Sequence, residues 1–435
     1  MPDSDIQSAR RLSAPDVSRQ LFGGVLTYDS AGYYSGLELL NFIFGNDVVL
    51  PTDEQPTVQR HSHDFARRLA WDDDFGSDPR HETILLSDAD AERTLRSVLH
   101  CLQVEIPNLK GDPAWHRAHF FPYTQSLIHW DARERKLQNE TKVLIERKYM
   151  RGGGALAYKI LRMDPDAARQ ERICAGFVRL YAPTAESPLE QLAGFLRKHS
   201  KSDSGIGNSD EIESESKLFR DILEDHFRNG CLTILEQTQV TTVARIKALI
   251  NWTAIWLTCM QHHRAVAALG KPPARLIFDC YGGSGQLRRA SQRCLKDAMN
   301  NIVEATERTQ SDIARAAKTA ARGFFWASAA STGLLNAWRG RRHFCFSVDA
   351  LETIVLAHVA AGDEMPFERF VHEVLYEQLG FVVGRQAADE ADLLTSIDAS
   401  IFEDNEAALA EQLAAAGLLK QYSDATRMVA SRGAA

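Results

Sequence analysis

The residues best suited to chemistry cluster in YGGSGQLRRASQR, a glycine-rich turn at 282–285 followed by Arg288, Arg289 and Arg293. Glycines let backbone N–H groups close on an anion, and the start of the following helix adds its dipole, so the pattern suits a phosphate. The turn is not a Walker A loop. No GxxxxGK[ST] occurs in the chain, so no lysine is set to reach a β/γ-phosphate, and ATP hydrolysis by this chain is not expected. The main expectation is nonetheless an ordinary strand, turn and helix whose arginines are solvated or paired with acids, with an anion or nucleic-acid contact as the alternative. The run Arg339, Arg341 and Arg342 favours the anion reading, because clustered guanidiniums match phosphate oxygens. Neither cluster specifies a base sequence.

A second constellation is Glu146 and Lys148, an E-x-K behind the apolar run VLI, with Asp131 upstream. These are the residue types by which metal-dependent nucleases hold magnesium and activate water. Such a pair needs a strand to aim both side chains into one pocket. RERKLQNETKVLIERKYM has helical composition, and on a helix the two side chains point about 200° apart. A charged helical face is therefore the main expectation, and a divergent nuclease the alternative. His262 and His263, and the HSH at His61 to His63, lack a third ligand at metal spacing, and adjacent histidines on a helix diverge, so a surface or cap role is expected. GxSxG, HExxH and GxGxxG are all absent, so no enzyme is positively assigned and neither a metal nor a cofactor is expected.

The elements that must position these residues are mostly helical. The 435 residues are 44% hydrophobic and 25% charged, an ordinary globular composition that excludes wholesale disorder and collagen-like repetition. The formal charge is −8, so nucleic-acid binding has to come from a local patch. Seven scattered cysteines with no CxxC pair, and a polar start with no apolar h-region, fit reduced thiols in a cytoplasmic protein. The fold class expected is mainly α (α+β) and multi-domain. Residues 1–20 read as a flexible leader, 21–132 as an irregular α+β region, and 133–270 as a helical domain with a flexible loop at 199–216. Within that domain, helices are expected around the Gly152 to Gly154 break. A run of about 30 residues from Val240 to Leu269, apolar on most sides, should be a central helix and is too short in its apolar part to span a membrane.

Charge then changes abruptly. Residues 271–342 form a basic strand-turn-helix block with 13 Lys and Arg against 5 Asp and Glu, whereas 343–435 carry 5 against 16. In the acidic part DALETIVLAHVA, EMPFERFVHEVLYEQL and NEAALAEQLAAAG read as helices, and LLKQYSDATRMV as a hairpin, which is the order of a winged helix. Its third helix carries Glu403, Asp404, Glu406 and Glu411 and no Lys or Arg, so phosphate repulsion opposes groove docking. The expectation is a winged-helix-like protein-interaction module.

Several phrases together carry a resemblance: ERKYMRGGGALAYKILRMDP, LIFDCYGGSGQLRRAS, FFWASAASTGLLNAWRGRRHF, LETIVLAHVAAGDEMPFERFVHEVLYEQLGFVVG and YSDATRMV. They resemble accessory subunits of bacterial anti-phage defence islands, of the methylation-associated defence type, and more distantly the mid-sized subunit of phosphorothioation-dependent restriction systems. The resemblance spans about residues 130 to 430 and brings no catalytic residues with it. It implies a subunit that works beside a large P-loop ATPase and a DNA-modification enzyme, acting on double-stranded DNA and away from any membrane.

Overall fold

A computed structural model describes residues 12–26, 32–45, 58–61, 89–101, 132–136, 143–147, 153–181, 188–199, 202–205, 216–273, 275–336, 341–423 and 426–431. The protein is mainly α with a few short strands. At its centre lies α8 (Thr242–Ala268), whose residues are buried almost all round, among them Trp252 and Trp256. A helix apolar on every side can only be satisfied by neighbours on every side. These are α1 (Ala14–Phe22), α2 (Gly32–Gly45), α7 (Ile222–Glu236), α9 (Gly285–Thr309), α10 (Arg315–Ser331) and α11 (Val348–His358). The polar groups inside this helix are matched: Trp252 Nε1 donates to the Phe227 carbonyl at 3.2 Å, Trp256 Nε1 to that of Leu223 at 2.7 Å, and Gln261 Nε2 to that of Ala321 at 2.9 Å. At Gly36 of α2 the two helices meet so closely that an added Cβ would lie 2.5 Å from the Ile250 backbone.

Several parts of the sequence expectation are corrected. The leader assigned to 1–20 gives way at Ala14 to α1, started by a capping box in which the Ser13 hydroxyl accepts from the Asp16 N–H and the Asp16 carboxylate accepts from that of Ser13. Val17, Leu21 and Phe22 then bury one face of it. The expected helix around 133–150 is instead an antiparallel hairpin of β2 (Ala132–Lys136) and β3 (Val143–Arg147), with Arg133 opposite Glu146. Val143 and Ile145 supply the β-branched residues of β3, and the charged composition of the segment concealed them. The histidine pair is no surface feature: His262 is 4% exposed, with its ring 5.9 Å from that of Phe325, and burial pulls its pKa down to about 3.

Other elements follow the sequence. α4 (Gly154–Arg162) begins at the glycine break, where the Glu38 carboxylate accepts from the Gly154 N–H at 2.8 Å. Next come α5 (Ala167–Leu180) and α6 (Pro188–His199). The flexible loop expected at 199–216 is corrected in part: within it β4 (Ser202–Gly205) pairs antiparallel with β1 (Val58–His61), a long-range partner that the Ser- and Gly-rich composition does not signal, while α3 (Ala89–Cys101) stands between them in sequence. A charged cluster ties α5, α7 and α8 together, with Arg264 bonded to Asp221 at 2.9 Å and stacked 4.0 Å over Phe219, and Arg169 bonded to Asp225 at 2.9 Å. Among the described residues no helix is long and apolar enough to cross a membrane.

The C-terminal elements run in the order α11, β6 (Glu364–Pro366), α12 (Phe367–Arg369), a π-helix (Phe370–Gln378), β7 (Phe381–Val382), α13 (Arg385–Glu390), α14 (Ala399–Ala415), β8 (Leu419–Ser423) and β9 (Thr426–Ala430). Leu379 N–H reaches back five residues to the Val374 carbonyl at 3.1 Å, as the π-helix requires. β9 lies between β6 and β8 in an antiparallel sheet, and Gly417 (φ +70°) turns α14 into β8. β5 (Leu276–Ile277) pairs in parallel with β7, so the boundary drawn at 342/343 is crossed by a sheet, and one apolar core runs from Leu21 to Val429.

Candidate functional site

The glycine turn sits at the carboxyl end of β5 and delivers the chain into α9. Gly282 takes φ +69°, Ser284 caps the helix by accepting from the Leu287 N–H at 3.2 Å, and Gly282 N–H donates to Asp279 Oδ1 at 2.7 Å. Two further N–H groups, of Cys280 and Tyr281, donate to the Asn405 Oδ1 of α14 at 2.7 and 3.0 Å. Arg288 folds back over the turn, its Nε bonded to Asp279 Oδ2 at 3.2 Å and its guanidinium to the Gly282 carbonyl. His343 Nε2 stands 3.7 Å from the same Asp279 oxygen. These N–H groups thus already have acceptors, and a buried carboxylate lies beneath them. The arrangement closes a turn; Arg288 serves that closure.

The remaining arginines are aimed elsewhere. Arg289, Gln292, Arg293, Lys296 and Met299 recur at three- and four-residue spacing and so share one face of α9, the first three cations covering about 10 Å of helix. Opposite them, a loop returns Arg341 and Arg342 to this face. Its closure is fixed by backbone: Phe344 bridges both Phe278 and Leu335, its N–H donates to Ser291 Oγ at 2.9 Å, and the Asn336 carboxamide accepts from the His343 N–H at 2.9 Å. The two basic clusters of the sequence, far apart in the chain, meet here.

Between them opens a cavity of about 610 Å³ lined by Arg289, Arg293, Lys296, Arg341 and Arg342 around Leu295, Met299 and Trp326. Among the described residues no carboxylate lines it. Arg289, Arg293, Lys296 and Arg341 form no ion pair among the described residues, in contrast to Arg288 and to Lys271, which holds Glu304 at 2.7 Å. Arg342 is 9% exposed; its guanidinium binds the Asn336 carbonyl and lies 6.0 Å from the Trp326 ring centroid, and burial lowers its pKa. Four like charges facing one cavity repel each other, and an anion among them relieves that repulsion.

Of the residues expected from the sequence, Arg289, Arg293, Arg341 and Arg342 come together, Arg288 is engaged in the turn, and Arg339 lies outside the described residues. Lys296 and Trp326 were missed; the 289/293/296 spacing is a signal that could have found the lysine. Of the nuclease set only Glu146 is described: it lies on β3, which removes the helical objection to an E-x-K, while Asp131 and Lys148 fall outside the described residues. Among the described residues no three His, Cys, Asp or Glu are placed to hold a metal. On α14, Phe402, Asn405, Leu409 and Leu413 face inward, while Glu403 pairs with Arg385 at 2.6 Å and burial raises the Glu406 pKa. Compared with protein-family models, curated proteins and solved structures, the chain matches none.

Proposed function

We propose that this chain is a non-catalytic subunit that engages nucleic acid through the α9 groove and serves assembly in an anti-phage defence complex. The observation that carries the nucleic-acid part is the groove itself: among the described residues, five cations and no carboxylate line one cavity, in a chain of net charge −8. A local cationic surface is what phosphate contact needs, and guanidiniums suit its oxygens. The defence setting, with a large P-loop ATPase and a DNA-modification enzyme as partners, rests on the resemblance of residues 130 to 430. The segment 348–430 supports an assembly role. Its helix, strand, helix, helix, strand, strand order, apart from the inserted β7 and α13, is winged-helix-like, and its third helix exposes Glu403, Asp404 and Glu411. That surface repels phosphate and fits a partner protein.

The test is the salt dependence of DNA binding by fluorescence anisotropy. Replacing Arg289, Arg293, Lys296 and Arg341 together by Gln should remove up to four phosphate contacts. The slope of log K against log salt should then fall by about 3 on a single strand and by about 3 to 4 on a duplex. Arg288→Gln, which touches only the turn, should leave the slope unchanged. A quadruple variant that binds with the original affinity and slope removes the groove from the function.

A further inference from the structure

The groove offers more than charge. Its floor is Trp326, half-buried, with Leu295 and Met299 beside it, and its rim is Arg289, Arg293, Lys296 and Arg341. A duplex keeps its bases stacked inside and presents a phosphate edge to such a rim, which leaves a concave aromatic floor unused. A ligand that fills both parts must carry a planar apolar body and several anionic groups a few ångströms from it. The Trp326 ring is held in place: Arg342, fixed through the Asn336 carbonyl, lies 6.0 Å from its centroid, and the indole packs against the main core. A preset aromatic platform costs little ordering when a ring stacks on it.

Resting on the phosphate-contact reading above, we propose that the groove takes single-stranded nucleic acid, with one unpaired base stacked on Trp326 and the flanking phosphates on Arg289, Arg293, Lys296 and Arg341. Stacking on an aromatic side chain tolerates every base, because each has a π-face, so the site reads strandedness and not sequence. Within a complex that acts on DNA, such a site holds an opened strand.

The experiment is anisotropy on the full chain with four probes: a thymidine oligonucleotide, its duplex, an oligonucleotide of equal length whose sugars carry no bases, and polyglutamate. The thymidine strand should bind tightest, with the abasic strand weaker by about tenfold to a hundredfold, the worth of one stacked base. Trp326→Ala should lower thymidine binding to the abasic level and leave abasic binding unchanged, and Trp326→Phe should restore most of the loss. If Trp326→Ala disturbs the fold, seen by circular dichroism, the thymidine-to-abasic ratio on the unsubstituted chain decides alone. Equal binding of thymidine and abasic strands, or tightest binding to the duplex, overturns the stacked base and leaves the phosphate reading standing. Polyglutamate bound as tightly as thymidine overturns it in favour of an acidic peptide. Binding of every probe unaffected by the quadruple Gln substitution overturns both.

Discussion

Asn405 is fully buried on α14, and its carboxamide makes four hydrogen bonds to backbone that carries the glycine turn and β7. Oδ1 accepts from Cys280 and Tyr281 at 2.7 and 3.0 Å, while Nδ2 donates to the Phe278 and Val383 carbonyls, both at 2.9 Å. Asn405→Ala leaves two buried N–H groups without this acceptor, and each such group costs about 1–3 kcal/mol. Two carbonyls also lose a donor, with smaller penalties because an oxygen has two lone pairs to satisfy. The four bonds share one side chain and do not add independently, so the expected loss is about 3–5 kcal/mol. Urea unfolding followed by circular dichroism reads this as a midpoint shift at constant slope. Asn405→Asp separates the two halves of the clasp: its carboxylate still accepts from both N–H groups but faces two carbonyls. Its deficit relative to the unsubstituted chain should therefore shrink as the pH falls and the carboxyl gains a proton to donate. A loss under about 1 kcal/mol in the Ala variant would refute the reasoning, because it would mean that the turn holds itself.

Two further outcomes follow from burial. Burial pulls the pKa of His262 down to about 3 and that of His358 to about 4. Both are thus neutral in the fold, while in the unfolded chain they titrate near 6.5. The unfolded state takes up protons first, so their contribution is complete above about pH 6.5 and falls by about 1.4 kcal/mol per histidine per pH unit below it. His358→Phe should flatten the stability profile between about pH 6 and pH 4.5 by one such increment, measured by urea unfolding across pH. An unchanged slope would mean that His358 is protonated in the fold. Gly36→Ala should cost about 1–3 kcal/mol by forcing α2 from the Ile250 backbone, and a thermal midpoint equal to that of the parent would show that the helices have room to separate.

What could be read from the sequence was what local pattern determines. The long α8, the strand-turn-helix at 276–309 and the hairpin at 419–430 announce themselves through uniform apolarity, glycine punctuation and a Ser-Asp turn. The hairpin at 132–147 was hidden because β2 is almost wholly charged and charged residues flank the short apolar run of β3, so composition alone favoured a helix. β5 and β7 are two residues each and pair across the chain, which no window of neighbours can reveal. The groove was half legible: its arginines stood out as clusters, but their division between turn closure and cavity depends on Asp279 and on the Phe344 bridges. Trp326 gave no signal at all, since an aromatic in FFWASAAS reads as core.

The parallel pairing of β5 with β7 also orders events in time. A ribosome extends a chain at about 5–20 residues per second, so roughly a hundred residues, and about 5–20 s, separate the appearance of Leu276 from that of its partner Phe381. Asn405 arrives later still. During that interval the turn has no clasp, and the base of α9 lacks its sheet partner. The turn that starts α9 is therefore closed only after the acidic segment has been made, and a chain ending before α14 carries the turn without its clasp. Closure of the glycine turn is a late event in the making of the molecule, because its clasp comes from a residue more than a hundred positions further on.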